Sequence, residues 1–267
     1  MKTVSSPWIE ALPDPIRASL GPGPFTRCRI GLSGAEVWLS EAQALKIAPV
    51  SIESETERTA LRWLQGRLPV PALLADAREN GKDYLLTSRL DAVPAIDDAL
   101  LDDPDRLLIF LSGALRALRS VKTDGCPLPD ATGAKLRAAR ENVLRGLCEP
   151  DEALLTAYGF PSAASLLDWL ERDRPPEEPA FTHGDCWLLN RFLDHGGSAW
   201  FLDLGRAGIA DAYTDIALCL RSLRQNLAGV YGGKIRPTIS EQVFFSALGL
   251  RPNEEKLRYY TLLDELL

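Results

Sequence analysis

The chain has 267 residues, of which 46% are hydrophobic and 25% charged, and these proportions are those of a globular protein with a sizeable core. Its formal net charge of −7, with no basic stripe in the sequence, argues against a nucleic-acid partner. No apolar run approaches the roughly 18 residues of a membrane span, and the N-terminus lacks the apolar stretch of a secretory signal. We therefore expect a cytoplasmic protein with no membrane partner.

The five cysteines lie far apart in the sequence, and no two of them form a CxxC pair. An odd number of cysteines without regular spacing argues against a disulfide framework and against a structural zinc site. The two histidines, His183 and His195, also lack the spacing of zinc ligands. We expect isolated thiols in a reducing compartment.

Short strand-like segments dominate the first 90 residues. Residues 28–40 (CRIGLSGAEVWLS) predict a strand, a Gly/Ser turn and a second strand, and residues 44–48 (ALKIA) predict a third. Residues 83–90 (DYLLTSRL) predict a fourth strand. Between the last two, residues 54–68 predict a helix because three leucines recur at helical spacing, and two prolines follow it.

Helical periodicity dominates after residue 90. The first predicted helix, residues 103–121, opens with an Asp-Pro start signal. The other predicted helices are 131–147, 162–173, 214–227, 239–248 and 253–267, the last running to the final residue. A loop-rich stretch, residues 181–211, interrupts the series near the junction of the two parts.

This loop-rich stretch gathers polar residues in FTHGDCWLLNRFL and FLDLGRAGIAD. Four mostly apolar residues separate Asp185 from Asn190, so a loop anchored in the core can present both side chains at one mouth. Two short strands joined by a DHGG turn should follow, with Asp203 at the end of the second. A carboxylate and an amide oxygen on adjacent segments suit Mg²⁺. Each fragment alone is more typical of a turn or cap, but their ordered pairing favours a functional site.

A second pair of charged residues lies in the first part. Strand alternation puts Lys46 between two alanines on one face, and Glu57 falls on the apolar stripe of the following helix. A carboxylate on such a stripe is costly unless a cation meets it, and Lys46 is a suitable partner. In the alternative, Glu57 lies at a frayed first turn while Lys46 extends to water. The residues alone leave both interpretations open.

Together, the strand lysine, the helix glutamate, HGDxxxxN and DxG resemble the protein-kinase-like fold, and more closely the aminoglycoside phosphotransferases. The segments DLGRAGIADAYTDIALCLRSL, WLQGRLPVP and the final YYTLLDELL resemble the 3′ subfamily, so the resemblance covers nearly the whole chain. It implies an α+β, bilobal fold. Residues 1–90 would form a small nucleotide-binding lobe, an antiparallel sheet with one key helix. Residues 91–267 would form a larger, mainly helical lobe with the catalytic loop and the aminoglycoside pocket.

The resemblance implies ATP-dependent phosphorylation of an aminoglycoside hydroxyl, the 3′-hydroxyl of the kanamycin and neomycin class, which confers resistance. The implied cofactors are ATP and Mg²⁺, and no obligate protein partner is implied. Asp185 would accept the hydroxyl proton, and Asn190 and Asp203 would hold the metal. The implied catalytic residues are Asp185, Asn190, Asp203 and Arg206. The implied nucleotide-binding residues are Ser33, Gly34, Lys46, Glu57, Ser88 and Leu90.

An aminoglycoside is a polycation, so its pocket should be rich in carboxylates. The implied substrate-binding residues are Asp185, Asp151, Glu152, Asp264, Glu265 and Leu267, the last through a terminal carboxylate. Residues 148–165 differ most from the subfamily. Gln225 and Asn226 stand where some relatives carry acids.

Two other functions stay open at this point. The first is a kinase of the same fold for another small molecule, such as a macrolide, choline, homoserine or methylthioribose, although the DELL tail argues against it. The second is a nucleotide-binding pseudokinase that serves as an interaction module. The intact set of polar motif residues argues against that function.

Overall fold

In the computed structural model, which describes residues 7–28 and 34–267, the first third of the chain forms a five-stranded antiparallel sheet. Two short helices precede it, α1 (Pro7–Glu10) and α2 (Asp14–Ser19). The strands are β1 (Thr26–Cys28), β2 (Glu36–Leu39), β3 (Gln43–Pro49), β4 (Leu73–Glu79) and β5 (Lys82–Ser88). Their spatial order is β1-β2-β3-β5-β4. The Gly/Ser turn predicted between the first two strands falls mainly in residues 29–33, outside the described ranges.

One helix, α3 (Ile52–Leu64), connects β3 to β4. Ser51 caps its N-terminus in a capping box with Ser54, and glutamates in the first turn favour the positive end of the helix dipole. The helix ends four residues earlier than predicted. The reason is Gly66, whose φ of 73° lies in the left-handed region and terminates the helical path.

The strand β4 is missing from the sequence prediction. It pairs with β5 through a tight turn in which Asn80 and Gly81 both have positive φ, 52° and 73°. Asn-Gly is the preferred dipeptide for this type of hairpin. The pairing places β5 between β3 and β4, with Leu85 and Leu86 in the core.

The rest of the chain is mainly helical, as predicted. Two small sheets lie in it: β6 (Ala92–Pro94), β8 (Arg191–Asp194) and β9 (Ala199–Phe201) form one, and β7 (Pro179–Thr182) pairs with β10 (Gly208–Asp211) in the other. The helices are α4 (Asp98–Leu101), α5 (Pro104–Ser120), α6 (Ala131–Arg145), α7 (Glu152–Ala157), α8 (Ala163–Arg172), α9 (Tyr213–Leu227), α10 (Glu241–Leu248) and α11 (Glu254–Asp264).

The main core runs between the two parts and surrounds α5, whose buried face carries residues such as Leu107, Leu111 and Leu115. A second cluster joins α6, α8 and α11 around Tyr259. The predicted helix at the C-terminus is wrong in its length. It ends at Asp264, and the last residues turn inward so that Leu266 is fully buried.

The predicted strands after Asn190 are confirmed as β8 and β9, and the predicted domain boundary after residue 90 falls between β5 and β6. Among the described residues, no helix is both long and apolar enough to cross a bilayer.

Candidate active site

The HGDxxxxN segment, residues 183–190 and called the catalytic loop below, is held in place by Asp215 at the start of α9. Its carboxylate is buried and accepts hydrogen bonds from the backbone N–H groups of His183 (2.8 Å) and Gly184 (2.9 Å). Gly184 has a φ of 79°, and a Cβ there would lie 1.9 Å from the backbone oxygen of Arg206. Only glycine fits this contact, which locks the HGD segment against the DxGR segment.

His183 is a structural residue in this arrangement. Its Nε2 lies 2.8 Å from the backbone oxygen of Leu202, and its Nδ1 accepts a longer bond from the N–H of Asp185 (3.3 Å). The proton therefore lies on Nε2. Burial lowers the pKa of His183 well below its ordinary value, so the ring is neutral at pH 7.

Asp185 and Asn190 come together at one mouth, as predicted. The Nδ2 of Asn190 donates to Asp185 Oδ2 (2.9 Å) and to the backbone oxygen of Asp185 (3.1 Å). This leaves the Asn190 Oδ1 free of hydrogen bonds to the described residues. Burial raises the pKa of Asp185, and the nearby cations Arg206 and Lys135 oppose that rise.

Lys46 joins the sheet to the loop-rich stretch. Its ammonium contacts Glu57 Oε2 at 2.7 Å and Asp203 Oδ1 at 2.9 Å. The pairing interpretation of Lys46 and Glu57 is thus confirmed, and Glu57 is buried on α3. Burial alone would lower the pKa of Lys46, but the two carboxylates outweigh it and raise the pKa. The ammonium of Lys46 is therefore protonated at neutral pH.

The sequence predicted Asp203 at the end of the second strand. In the structure, Asp203 lies two residues beyond the end of β9. Its φ of 59° is in the left-handed region, which aspartate tolerates better than most residues. The backbone of Asn190 accepts a bond from the N–H of Leu202 (3.2 Å), so the segments bearing Asn190 and Asp203 are adjacent. Both can offer oxygen ligands, and hard oxygens of this kind fit Mg²⁺.

The remaining predicted nucleotide-binding residues are Ser33, Gly34, Ser88 and Leu90. Ser33 lies outside the described residues, and Gly34 is exposed. Ser88 uses its N–H and its hydroxyl to hold Ala72, each at 2.9 Å. Leu90 has no backbone hydrogen bond to the described residues, so its N–H and C=O are the groups that can meet a base.

A cavity of about 400 Å³ opens beside the catalytic loop. Its lining residues are Leu147, Cys148, Glu149, Trp187, Arg206, Arg221, Asp264, Glu265 and Leu267. Three predicted substrate-binding residues, Asp264, Glu265 and Leu267, are therefore in its wall. Arg206 reaches this wall while its Nε donates to Glu53 on α3 (2.8 Å).

Asp151 and Glu152 do not line the cavity. The carboxylate of Asp151 caps α7 by accepting from the N–H groups of Ala153 (2.9 Å) and Leu154 (3.2 Å). Its own N–H donates to Glu265 Oε2 (2.8 Å), so Asp151 helps to position Glu265 in the cavity wall. Glu152 is exposed in the first turn of α7.

Sequence reasoning identified Arg206 but missed two other cations in or near this cavity, Arg221 and Lys135. Arg221 on α9 contacts Asp264 (3.5 Å), forms a close ion pair with Glu265, and lies 5.6 Å from the Trp187 ring. Lys135 on α6 is buried nearby, where burial lowers its pKa and the charge of Asp264 opposes that effect. Arg221 lies in the segment 203–223 that resembles the 3′ subfamily, and Lys135 lies in the predicted helix 131–147, but the sequence alone did not indicate that either cation interacts with Asp264.

Comparisons with known proteins agree with this geometry. The chain matches the model of the phosphotransferase enzyme family over residues 25–236. It is 33% identical over 217 residues to an aminoglycoside 3′-phosphotransferase of Enterococcus faecalis, covering 79% of this chain and 78% of that protein. A second aminoglycoside 3′-phosphotransferase, from Niallia circulans, is 33% identical over 264 residues, which are 95% of this chain and 96% of that protein.

The fold matches a solved structure of the aminoglycoside phosphotransferase APH(3″)-Id from Streptomyces rimosus. The TM-score is 0.76 at 25% identity, over 94% of this chain and 96% of that one. The same enzyme has also been solved in complex with ADP and streptomycin.

Proposed function

The chain belongs to the aminoglycoside phosphotransferase family and has the bilobal, protein-kinase-like fold of that family, and from this premise we propose that it transfers the γ-phosphoryl group of ATP to the 3′-hydroxyl of an aminoglycoside of the kanamycin and neomycin class. This modification confers resistance to the antibiotic. The observation that carries the proposal is the convergence of Lys46, Asp185, Asn190 and Asp203 beside a cavity with acidic walls.

Residues 1–90 form the nucleotide-binding lobe in this proposal, and residues 91–267 hold the acceptor. Lys46, oriented by Glu57, binds the α- and β-phosphates, and the backbone of Leu90 faces the adenine. In this proposal Ser33 and Gly34 contact the phosphates, and Ser88, which bonds to Ala72, fixes the end of β5 two residues before Leu90. Because its substrate is ATP, the enzyme acts in the cytoplasm.

Asn190 and Asp203 are the residues that would hold Mg²⁺. The Oδ1 of Asn190 accepts no bond from the described residues, and the Asp203 side chain is 42% exposed, so both present oxygens to a metal. When bound, the ion neutralises negative charge on the phosphate oxygens. Arg206 supplies a further fixed positive charge at the junction of the nucleotide and acceptor sides.

Asp185 acts on the acceptor. The antibiotic hydroxyl donates a hydrogen bond to its carboxylate, the new O–P bond forms as the bond to the ADP oxygen breaks, and the proton passes to Asp185. The transition state of such a transfer is loose and requires alignment more than strong base catalysis. The contact with Asn190 fixes one carboxylate oxygen and leaves the other for the hydroxyl.

The acceptor side suits a polycation because Glu149, Asp264 and Glu265 line the cavity. Leu267 contributes to the same wall, and Asp151 supports it through the bond from its N–H to Glu265. A second candidate is phosphorylation of the 3″-hydroxyl of streptomycin, because the matched structure with a TM-score of 0.76 is a 3″ enzyme.

The test is a substrate panel. Purified protein with ATP and Mg²⁺ is given kanamycin, neomycin, streptomycin, erythromycin or choline, and ADP release is followed. We expect release with kanamycin and neomycin, with the phosphate located on the 3′ oxygen by NMR. Turnover of streptomycin alone favours the second candidate. Turnover of erythromycin or choline alone, or binding of ATP with no turnover at all, contradicts the proposal.

A further inference from the structure

Two aromatic rings stand at the edge of the cavity without a role in phosphoryl transfer. Trp187 lines the cavity from the catalytic loop, two residues after Asp185. Tyr231 lies in the loop between α9 and α10, with its ring centroid 6.5 Å from that of Trp187 and an interplanar angle of 64°. Tyr231 remains 59% exposed. The pair therefore presents aromatic surface to whatever occupies the cavity.

The loop that carries Tyr231, residues 228–240, is held firmly at its base. The guanidinium of Arg236 is only 3% exposed, contacts Asp102 at 2.6 Å and pairs closely with Asp98 on α4. At the tip, the Tyr231 hydroxyl donates to Gln225 Oε1 on α9 (2.8 Å). The Tyr231 ring is held by its hydroxyl and by the anchored loop, so little side-chain freedom remains to be lost when a ligand contacts it.

The charges around the rings suit a cationic sugar. The guanidinium of Arg221 lies 5.6 Å from the centroid of the Trp187 ring and also pairs with Asp264 and Glu265. Burial raises the pKa of the Tyr231 hydroxyl, with Arg221 opposing and Asp264 adding to the rise, so the ring lies in the field of both groups. Arg221 already contacts the Trp187 ring, so the more exposed aromatic surface of the pair is that of Tyr231, which is 59% exposed.

We propose that Trp187 and Tyr231 form an aromatic wall against which one amino-sugar ring of the antibiotic packs, with its ammonium toward the rings and its hydroxyl toward Asp185. An ammonium over an aromatic face is attracted by the ring quadrupole, and the apolar C–H groups of the sugar bury aromatic area. Tyr231 is then a determinant of acceptor affinity. The inference rests on the proposed function, since it takes an aminoglycoside as the occupant.

The test is equilibrium binding of kanamycin, by calorimetry, to the wild type and three variants. Tyr231→Ala should raise the Kd roughly threefold to tenfold, the size of a partly exposed cation–π contact. Tyr231→Phe keeps the ring and should stay within about twofold of the wild type. Ile235→Ala is the matched control, because Ile235 lies in the same loop and is 79% exposed. It should bind as the wild type does.

ATP affinity and the thermal melting point should be unchanged in all three variants, because Tyr231 and Ile235 are largely exposed. Wild-type affinity in Tyr231→Ala overturns the inference and leaves the proposed function standing. A Tyr231→Phe variant as weak as Tyr231→Ala also overturns it, because the bond to Gln225 and not the ring would then matter. If the wild type binds no kanamycin while still binding ATP, the proposed function fails, and the aromatic wall fails with it.

Discussion

Asp215→Asn should disturb both stability and catalysis, because one carboxylate holds two N–H groups of the catalytic loop. The bonds are 2.8 Å and 2.9 Å, and Asp215 is 2% exposed. The amide of asparagine has a single acceptor oxygen, so one buried N–H would face an NH₂ group, at a cost of about 1–3 kcal/mol. The buried guanidinium of Arg191 would also lose a nearby anion. Burial raises the pKa of Asp215, so removing its charge offsets part of this loss.

The expected net loss is about 2–4 kcal/mol in the free energy of unfolding, measured by urea titration. We also expect kcat to fall about 100-fold, because the loop that aims Asp185 loses its anchor. Thr214→Val is the control. Thr214 is the equally buried neighbour, its hydroxyl has no hydrogen-bond partner within residues 7–28 and 34–267, and its replacement should be neutral or stabilising. A stability within about 0.5 kcal/mol of the wild type in Asp215→Asn, with normal kcat, would refute the reasoning.

Three further variants probe other contacts. Burial depresses the pKa of His183, so below about pH 6.5 the unfolded chain binds a proton that the folded chain does not. His183→Gln should therefore remove up to about 1.4 kcal/mol per pH unit of acid destabilisation in urea titrations, with His195→Gln, at a side chain that is 81% exposed, as the control variant. An unchanged pH slope in His183→Gln speaks against its burial. Lys46→Met should raise the KM for ATP at least about tenfold and should also destabilise the fold, because the buried carboxylate of Glu57 loses its cation. In the double variant with Glu57→Gln, the stability should be restored but the KM should stay high. A single Lys46→Met variant as stable as the wild type contradicts this. Arg236→Met should weaken kanamycin binding, measured by calorimetry, and leave ATP binding unchanged; equal kanamycin affinity would show that the loop needs no anchor.

The helices were largely predictable because their signals are local. The apolar period over residues 103–121 and its Asp-Pro start gave α5 within a residue at each end. The strand β4 was missed because two prolines, Pro69 and Pro71, indicated a break, although Asn80-Gly81 was a hairpin signal next to it. Gly66, which ends α3 early, was also a local signal for a helix end, but the prediction followed the leucine spacing through Leu68 instead.

In the site, residues within motifs were predictable and residues brought together by the fold were not. Asp185 and Asn190 are five positions apart and share one loop, whereas Lys46 meets Asp203 across 157 positions, and only the kinase-like pattern indicated that meeting. Arg221 faces Asp264 because two helices pack together. Asp151 was expected in the pocket on charge alone, but its position before α7 makes it a helix cap.

The most direct test of the account is Asp185→Ala, assayed for kanamycin-dependent ADP release and, separately, for ATP affinity. If Asp185 takes the proton of the antibiotic hydroxyl, kcat should fall by at least about 100-fold. The Kd for ATP should change by less than about twofold, because the groups that bind the phosphates, Lys46 and Asp203, keep their contact of 2.9 Å. Near-normal turnover in this variant would contradict the account.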